Sequence, residues 1–357
     1  MGLFFCDVGK YSPRHPEEFI THRLHRLVLT DKDAGKWEYR GTLLDGDPRY
    51  IYWQHGVMSL LQLGGNEFVF QCYGDGVQAY RREGDSLKLA AMVGGRDPLP
   101  DGVYNGTLPA DKQQPLGQWT WTDANGNGKV EPNEVTCFKQ PGRGRYSFFG
   151  ANFDVQGNVL YCDHYANAVC ELPLAGLAAN GNPHYDWGQT RQVVALDKSP
   201  VKFMPLMAAR AEDGSLYAFG RSVAWKEPKN SGAWMGGWTL VRCDKQGNRS
   251  WVARLPEVCV GMDLIPGGGA MLGWYEKAVI YHYNADGLLI GAMQPGPAAG
   301  AVTGWMDNTS AVSVARDPRD QKLDVFGEDS WLNRTIWYRV DDRQIETIRG
   351  TVSRKSK

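Results

Sequence analysis

The sequence has no apolar run long enough to cross a membrane as a helix, which takes about 18 to 20 residues. It also has no excess of either charge, because 39 Lys and Arg stand against 40 Asp and Glu and the net charge is −1. Without a basic surface, we expect the protein to bind neither nucleic acid nor anionic lipid. The seven cysteines are scattered and include no CxxC pair, so the sequence predicts neither a disulfide framework nor a zinc site.

Motifs that would identify a reaction are missing as well. No GxSxG, HExxH or SxxK motif is present in a usable setting, and the GGG at Gly267 lies in a predicted hairpin turn, not in a phosphate-binding loop. The function therefore has to be inferred from the fold and from clusters of side chains.

Glycine and aromatic residues are abundant, with 43 Gly, 13 Trp and 16 Tyr. Short apolar strands alternate with Gly, Asp and Asn turns, and the turns at Gly157, Gly214, Gly268 and Arg319 are 57, 54 and 51 residues apart. A period near 50 residues with about four strands in each unit is typical of propeller blades. The sequence therefore predicts an all-β propeller.

We expect residues 1–357 to form a single propeller of six blades, or of seven if the segment 97–140 contains more than a hairpin. The first unit lacks a recognisable innermost strand, and the stretch near Thr351 is predicted to supply it, which would close the ring and remove its open edges. Residues 97–146 are interpreted as an insertion. We expect no helix longer than one or two turns.

The insertion carries the spacing of a calcium loop, D-x-[DN]-x-[DN]-G-x5-E. The predicted oxygen ligands of a structural Ca²⁺ ion are the side chains of Asp123, Asn125, Asn127, Glu131 and Glu134 and the backbone carbonyl of Lys129. The flanking WTWT and VTCF alternate as strands do. We therefore predict a hairpin stapled by calcium in place of a hydrophobic core. The alternative is a polar turn without an ion.

This WTDxNGxGxxxxxE loop and the segment CELPLAGLAANGNPHYDW resemble extracytoplasmic bacterial propeller proteins of the NHL/PQQ-like type. The resemblance implies a propeller fold and a secreted or periplasmic location, with the signal absent from this chain. It implies no catalytic residue, and because the tryptophan-docking repeat of quinone enzymes is missing, a quinone cofactor is not predicted. More distantly, the chain resembles propeller polysaccharide lyases.

In a propeller, the loop between the second and third strands of a blade and the loop that joins two blades emerge on one face, where ligands commonly bind. The residues predicted there to be catalytic are His164, Tyr165, Arg143, Arg145 and His55. Those predicted to bind substrate are Trp53, Tyr146, Trp225, Trp234, Trp274, Trp331 and Arg334. Aromatic rings stack on sugars, and arginine holds carboxylates at two points.

These residues suggest a protein that acts on an acidic polysaccharide or oligosaccharide by β-elimination. A His or Tyr base would abstract the proton beside a uronate carboxylate that Arg neutralises. A second interpretation is a non-catalytic module of a larger secreted protein that binds glycan or protein. We expect the chain to be a monomer under either interpretation. A third is a lactonase-like hydrolase with a metal in the channel. Packing between blades and surface ion pairs would use the same residue types, so the alternatives stay open.

Overall fold

The computed structural model describes residues 8–45, 57–73, 76–94, 118–138, 146–163, 166–195, 203–223, 225, 236–297, 300, 304–306, 311–330, 332 and 334–342. These residues form an all-β structure in which antiparallel sheets are arranged as a propeller-like ring. Its helical segments are two short 3₁₀ turns, Pro132–Glu134 and Trp187–Gln189. No helix in this part of the chain is long and apolar enough to span a membrane.

The first two sheets follow the chain order. Sheet 1 contains β1 (Gly9–Tyr11), β2 (Glu18–Thr21), β3 (His25–Asp31) and β4 (Lys36–Thr42). Sheet 2 contains β5 (Leu44–Asp45), β6 (Met58–Leu63), β7 (Asn66–Tyr73), β8 (Gly76–Glu83), β9 (Ser86–Gly94), β10 (Gln118–Thr122) and β11 (Val135–Phe138). Sheet 1 has four strands, so the prediction that the first unit lacks its innermost strand is wrong: that strand is β1. The stretch near Thr351 lies outside the described residues.

The next two large sheets complete most of the ring. Sheet 3 contains β12 (Tyr146–Phe153), β13 (Val159–Asp163), β14 (Ala168–Leu172) and β17 (Arg191–Ala195), and the hairpin of β15 (Leu174–Leu177) and β16 (Pro183–Tyr185) emerges between its last two strands. Sheet 4 contains β18 (Phe203–Arg210), β19 (Leu216–Ser222), β20 (Gly237–Cys243), β21 (Arg249–Leu264), β22 (Ala270–Trp274), β23 (Val279–Tyr283) and β24 (Leu289–Met293). A smaller sheet 5 contains β25 (Val312–Arg316), β26 (Leu323–Asp329) and β27 (Arg334–Val340).

The described residues thus form four blades with at least four strands each, and the prediction of six or seven blades is wrong. The main reason is β21, which is 16 residues long. It pairs with β20 through its first half and with β22 through its second half, so two units expected to be separate share one continuous sheet. Sheet 5 has only three strands among the described residues.

The ring closes through contacts between the first strand of each sheet and the second half of β21. In cyclic order, the contacts are β1 with β6, β6 with β12, β12 with β18, β18 with β21, β21 with β25 and β25 with β1. Sheets 1 and 5 also join through stacked Phe19 and Phe326, whose ring centroids are 4.3 Å apart. The Tyr11 hydroxyl donates to Asp324 Oδ2 at 2.6 Å, so the same junction has both an apolar and a polar component.

The hairpin turns explain how short strands follow each other so closely. In the turn Asp154–Asn158, Oδ1 of Asp154 accepts hydrogen bonds from the backbone N–H of Gln156 and Asn158. Gly157 adopts a φ of 83°, a conformation that favours glycine. An Asx turn of this kind is determined by its own side chain and glycine, so it forms from local sequence.

Candidate functional site

Most residues predicted to form the site lie outside the described residues. This applies to the predicted catalytic set His55, Arg143, Arg145, His164 and Tyr165, and to the predicted binding residues Trp53, Trp234 and Trp331. Tyr146 begins β12, but its side chain is not described. The catalytic set therefore stays a prediction, and the site is built below from the other residues of the same face.

Three segments of this face meet next to the junction of sheets 4 and 5. Tyr275 follows the end of β22, and its backbone carbonyl accepts a hydrogen bond from the Met306 N–H at 2.8 Å. The neighbouring Trp305 carbonyl accepts one from the Ser330 N–H at 2.9 Å. The loops after β22 and β26 and the segment 304–306 are thereby tied together by backbone hydrogen bonds, which do not depend on side-chain identity.

The side chains on these segments form what we call the aromatic patch, consisting of Trp274, Tyr275, Lys277 and Trp305. The rings of Tyr275 and Trp305 meet edge to face, with centroids 5.9 Å apart. Both rings are half-buried, so each retains exposed surface. Aromatic side chains held in this way offer apolar faces to a ligand at low entropic cost.

Trp274, one of the predicted substrate-binding residues, makes two contacts within the protein and stays a prediction as a ligand-binding residue. Its ring lies against Tyr281, with an interplanar angle of 22° and centroids 6.3 Å apart, while the Lys277 ammonium lies 5.1 Å from the Trp274 centroid. Burial raises the pKa of Tyr281, so its hydroxyl stays neutral. Because Tyr281 and Lys277 already contact the indole, Trp274 is suited to holding the cation of Lys277 in place.

Two other predicted binding residues lie in loops of the same kind. Arg334 begins β27, and its Nε donates to Oδ2 of the fully buried Asp329 at 3.0 Å. This ion pair is the structural alternative that the sequence analysis left open. Trp225 follows β19 and is half-buried.

An ion pair that the sequence analysis missed joins three strands at the centre of the ring. The Lys10 ammonium on β1 contacts the Asp263 carboxylate on β21 and donates to the Val314 carbonyl on β25 at 3.0 Å. Lys10 lies in β1, the innermost strand of sheet 1. The pKa of the nearby His22 is lowered to about 3, mainly by burial of the imidazole and to a smaller extent by the positive charge of Lys10, so His22 is neutral. Asp263, an oxygen donor that a channel metal would use, already has a cationic partner from this chain.

The predicted calcium loop is built around Asp123, which is fully buried. Its Oδ1 accepts hydrogen bonds from the N–H groups of Gly126 and Asn127, and its Oδ2 accepts one from Gly128. Oε1 of Glu134 accepts from the Ala124 N–H at 2.9 Å, and its Oε2 accepts from the indole N–H of Trp121 at 3.0 Å. The loop is therefore closed by carboxylates at its first and twelfth positions, as the spacing predicts.

A donor set of this kind fits a hard cation only in part. Asp123, Glu131 and Glu134 form no ion pair with any described residue, although Lys129 lies in the same loop. However, Asn125 and Asn127 present their amide nitrogens to Glu131, and a cation would require their oxygens. Among the described residues, no three His, Cys, Asp or Glu side chains converge as a metal centre.

Two amides from the third sheet hold the calcium loop against its neighbour. Asn180 Nδ2 and Asn182 Nδ2 both donate to the Asp123 carbonyl, at 2.7 and 2.8 Å. The indole N–H of Trp187 donates to the Trp119 carbonyl at 3.0 Å. The hairpin β10–β11 thus extends sheet 2 and packs against the β15–β16 hairpin.

No family model matches this chain, and no curated protein matches it in sequence. Among solved structures, a streptogramin B lyase is 12% identical, with a TM-score of 0.44 over 91% of this chain and 92% of the lyase. A protein of unknown function from Desulfotomaculum acetoxidans is 12% identical, with a TM-score of 0.41 over 86% and 90% of the two chains. A protein from Lactobacillus plantarum is 9% identical, with a TM-score of 0.39 over 92% and 93%. This likeness to propeller-like proteins concerns the fold alone and carries no argument about activity.

Proposed function

We propose that this chain is a ligand-binding β-propeller that binds an acidic polysaccharide through the face carrying the aromatic patch. The observation that supports this proposal is the Lys277 cation over the ring of Trp274, with the half-buried rings of Tyr275 and Trp305 on the segments tied to the same loop. The rings would stack on sugar rings, and the ammonium would pair with a uronate carboxylate. In this proposal, the protein acts outside the cytoplasm.

Binding is tested by affinity electrophoresis in gels that contain polygalacturonate, alginate or neutral dextran. We expect Trp305→Ala to weaken binding to the acidic polymers roughly tenfold, because a stacking surface is lost. Lys277→Met keeps the aliphatic stem and removes the charge, so we expect it to abolish the preference for acidic over neutral polymers. Tyr39→Ala, an exposed aromatic residue on β4, is the control. The proposal fails if the wild type is not retarded by either acidic polymer.

The catalytic form of the proposal is β-elimination, with His164 or Tyr165 as the base and Arg143 or Arg145 holding the carboxylate; His55 is a further candidate. Imidazole is suitable because its ordinary pKa lies near neutrality. The assay follows the ultraviolet absorbance of unsaturated products from uronate polymers, with His164→Ala and Arg145→Ala as variants. Binding without turnover by the wild type would leave the non-catalytic module as the function. Turnover that survives both substitutions would place the chemistry elsewhere.

We also propose that the Asp123–Glu134 loop binds one structural Ca²⁺ ion. The support is the charge of Asp123, Glu131 and Glu134, which form no ion pair within the described part of the chain; Asp123 is also fully buried, where an unpaired charge is costly. Asp123, Asn125, Asn127, Glu131 and Glu134 would supply side-chain oxygens and Lys129 its carbonyl. When bound, the ion would supply positive charge to this hairpin and take no part in a reaction.

Isothermal calorimetry and thermal unfolding with and without a chelator test the calcium proposal. We expect calcium at about one hundred times its dissociation constant to stabilise the fold by about 2.7 kcal/mol. Glu134→Gln should remove most of this gain, while Glu38→Gln on the exposed strand β4 should keep it. The absence of both binding heat and a chelator effect in the wild type would refute the proposal.

A further inference from the structure

A second pairing of a cation with an indole lies in sheet 4, beside the aromatic patch. Arg221 is near the end of β19, and Trp238 is near the start of β20. The guanidinium carbon of Arg221 lies 6.0 Å from the centroid of the Trp238 ring. Lys277 and Trp274 form a pair of the same kind after β22. We call the two the Arg221 pair and the Lys277 pair.

Hydrogen bonds to the backbone fix both members of the Arg221 pair. Arg221 Nε donates to the Gly236 carbonyl at 2.8 Å, and the indole N–H of Trp238 donates to the Ser222 carbonyl at 3.2 Å. Trp238 is only 5% exposed, whereas Arg221 is half-buried. The buried indole therefore supports the cation, and Arg221 is the member of the pair that has surface left for a ligand.

Both pairs border the same hydrophobic core of sheet 4. Phe219 is part of that core, and Met204 and Trp274 pack against it. Arg221 lies two residues after Phe219 and directly opposite Met204 on the neighbouring strand. Alternate residues of a strand, and residues opposite each other on paired strands, point to the same side of a sheet. Arg221 and the Trp238 ring that it contacts therefore lie on the side of the sheet that also carries Trp274.

The register of sheet 4 places the two pairs close together. Gly237, which directly precedes Trp238, is opposite Cys259 on β21, and Cys259 is opposite Trp274 on β22. Neighbouring strands lie about 4.8 Å apart, so the start of β20 and Trp274 are separated by about 10 Å. The row formed by Gly237, Cys259 and Trp274 contains no charged side chain. Two cations therefore flank an uncharged stretch of one sheet.

This arrangement favours a ligand with several carboxylates over a single anion. Glu276 is next to Lys277 and is also exposed, so it weakens the attraction of that cation for a lone anion. One uronate has one carboxylate and can pair with only one of the two cations at a time. An oligomer in which carboxylates recur along the chain can pair with both, and the second contact is then intramolecular.

We propose that Arg221 is a second ligand-binding cation beside the aromatic patch, and that the ligand is an oligomer or polymer that meets Arg221 and Lys277 with two of its carboxylates. This inference rests on the proposed binding of an acidic polysaccharide and adds a minimum length, because the ligand has to span both pairs. The Arg221 guanidinium is planar and held at Nε, so it fixes the direction from which a carboxylate approaches.

The test compares galacturonate, trigalacturonate and hexagalacturonate by isothermal calorimetry with the full chain. We expect the wild type to bind the hexamer at least about tenfold more tightly than the monomer, because only the oligomer reaches both cations. Arg221→Met keeps an aliphatic stem and removes the charge, so it should weaken hexamer binding about tenfold and reduce the ratio of hexamer to monomer affinity. Arg40→Met removes an exposed positive charge from β4 and is the matched control, which should bind like the wild type.

A second readout uses the wild type and does not depend on the folding of Arg221→Met. The hexamer should shift the indole N–H signals of both Trp238 and Trp274 in proton–nitrogen NMR spectra, which Trp238→Phe and Trp274→Phe assign. Circular dichroism verifies that each variant is folded.

The role of Arg221 is overturned if the wild type binds monomer and hexamer equally, if folded Arg221→Met binds the hexamer like the wild type, or if the hexamer leaves the Trp238 signal unmoved. In each of these cases, oligomer binding that is weakened by Lys277→Met would leave the polysaccharide proposal standing. If the wild type binds none of the galacturonates and no acidic polymer retards it, both proposals fail.

Discussion

Two clefts of the ring, the first between sheets 1 and 2 and the second beside the junction of sheets 3 and 4, contain the same kinds of charged groups and differ in how these groups are shared. In the first cleft, one guanidinium group lies between two carboxylates: Arg82 Nη1 is 2.7 Å from Glu18 and 3.0 Å from Glu67. In the second cleft, one carboxylate lies between two guanidinium groups, because Arg191 and Arg210 contact different oxygens of Glu171. Removing the shared carboxylate therefore leaves two charges without this partner, whereas removing Glu18 leaves Arg82 with a partner.

The largest expected effect is the loss of stability when the Glu171 side chain is removed from the second cleft. Glu171→Ala leaves two guanidinium groups without their buried partner, and we expect it to lower the free energy of unfolding by about 3–5 kcal/mol. Glu18→Ala in the first cleft should cost about 1–2 kcal/mol, because Arg82 keeps Glu67 as a partner. Urea unfolding of both variants measures this difference. Equal costs would break the distinction between the clefts.

A pH dependence should be concentrated in the hairpin that carries Glu18 and Arg26. His22 lies at the other end of that hairpin, and burial, followed by the charge of Lys10, lowers its pKa from 6.5 to about 3. As the pH falls through 6.5, His22 therefore binds a proton in the unfolded chain but not in the folded chain. The stability contribution is fully present above pH 6.5 and is lost as the pH falls towards 3.

At pH 4, the loss attributable to His22 should be up to about 3 kcal/mol, since each unit corresponds to about 1.4 kcal/mol. We expect His22→Gln to flatten the stability curve between pH 4 and 6.5 relative to the wild type. His25→Gln, in the same hairpin but only partly buried, should have a smaller effect. Unfolding by urea at several pH values makes the comparison, and an unchanged slope in His22→Gln would contradict it.

The smallest effect should come from the junction between the β15–β16 hairpin and the calcium loop, where the contacts are made to neutral oxygens, including those of the Arg81 guanidinium with Asn182 Oδ1 and the Asn180 carbonyl. Asn182 is buried and donates from Nδ2 to the Asp123 carbonyl, so Asn182→Ala should cost about 1–2 kcal/mol. Asn180 still donates to that carbonyl, which limits the loss. The stability cost of Asn182→Ala should not change between low and high salt. The cost of Glu171→Ala should be smaller at high salt, because salt screens the contribution of its ion pair with the partly exposed Arg191. Unfolding at two salt concentrations measures both, and equal salt dependence would contradict the interpretation.

The sequence by itself determined the all-β class and the local turns. Asp154–Asn158 and Asp244–Asn248 share the pattern D-x-Q-G-N and make the same backbone hydrogen bonds to the aspartate oxygen. The spacing in the calcium loop likewise brings Asp123 and Glu134 to the two ends of one closed turn. These features depend on groups within about twelve residues of each other, so a linear pattern is enough to predict them.

The tertiary structure alone decided the number of blades, the pairing in the clefts and the role of individual site residues. The second half of β21 pairs with β22 in the same sheet, although Pro256 in the middle of this strand is a local signal that a strand would end there. Asp154 is buried and lies 3.5 Å from Arg210, whereas Asp244, in a turn of the same pattern, is half-buried. The contacts of the Trp274 ring with Tyr281 and Lys277 are likewise not visible in the sequence pattern. Each of these outcomes depends on which strand or side chain from a distant part of the sequence packs at that position. The packing of the whole ring determines these neighbours, so a local pattern cannot predict them.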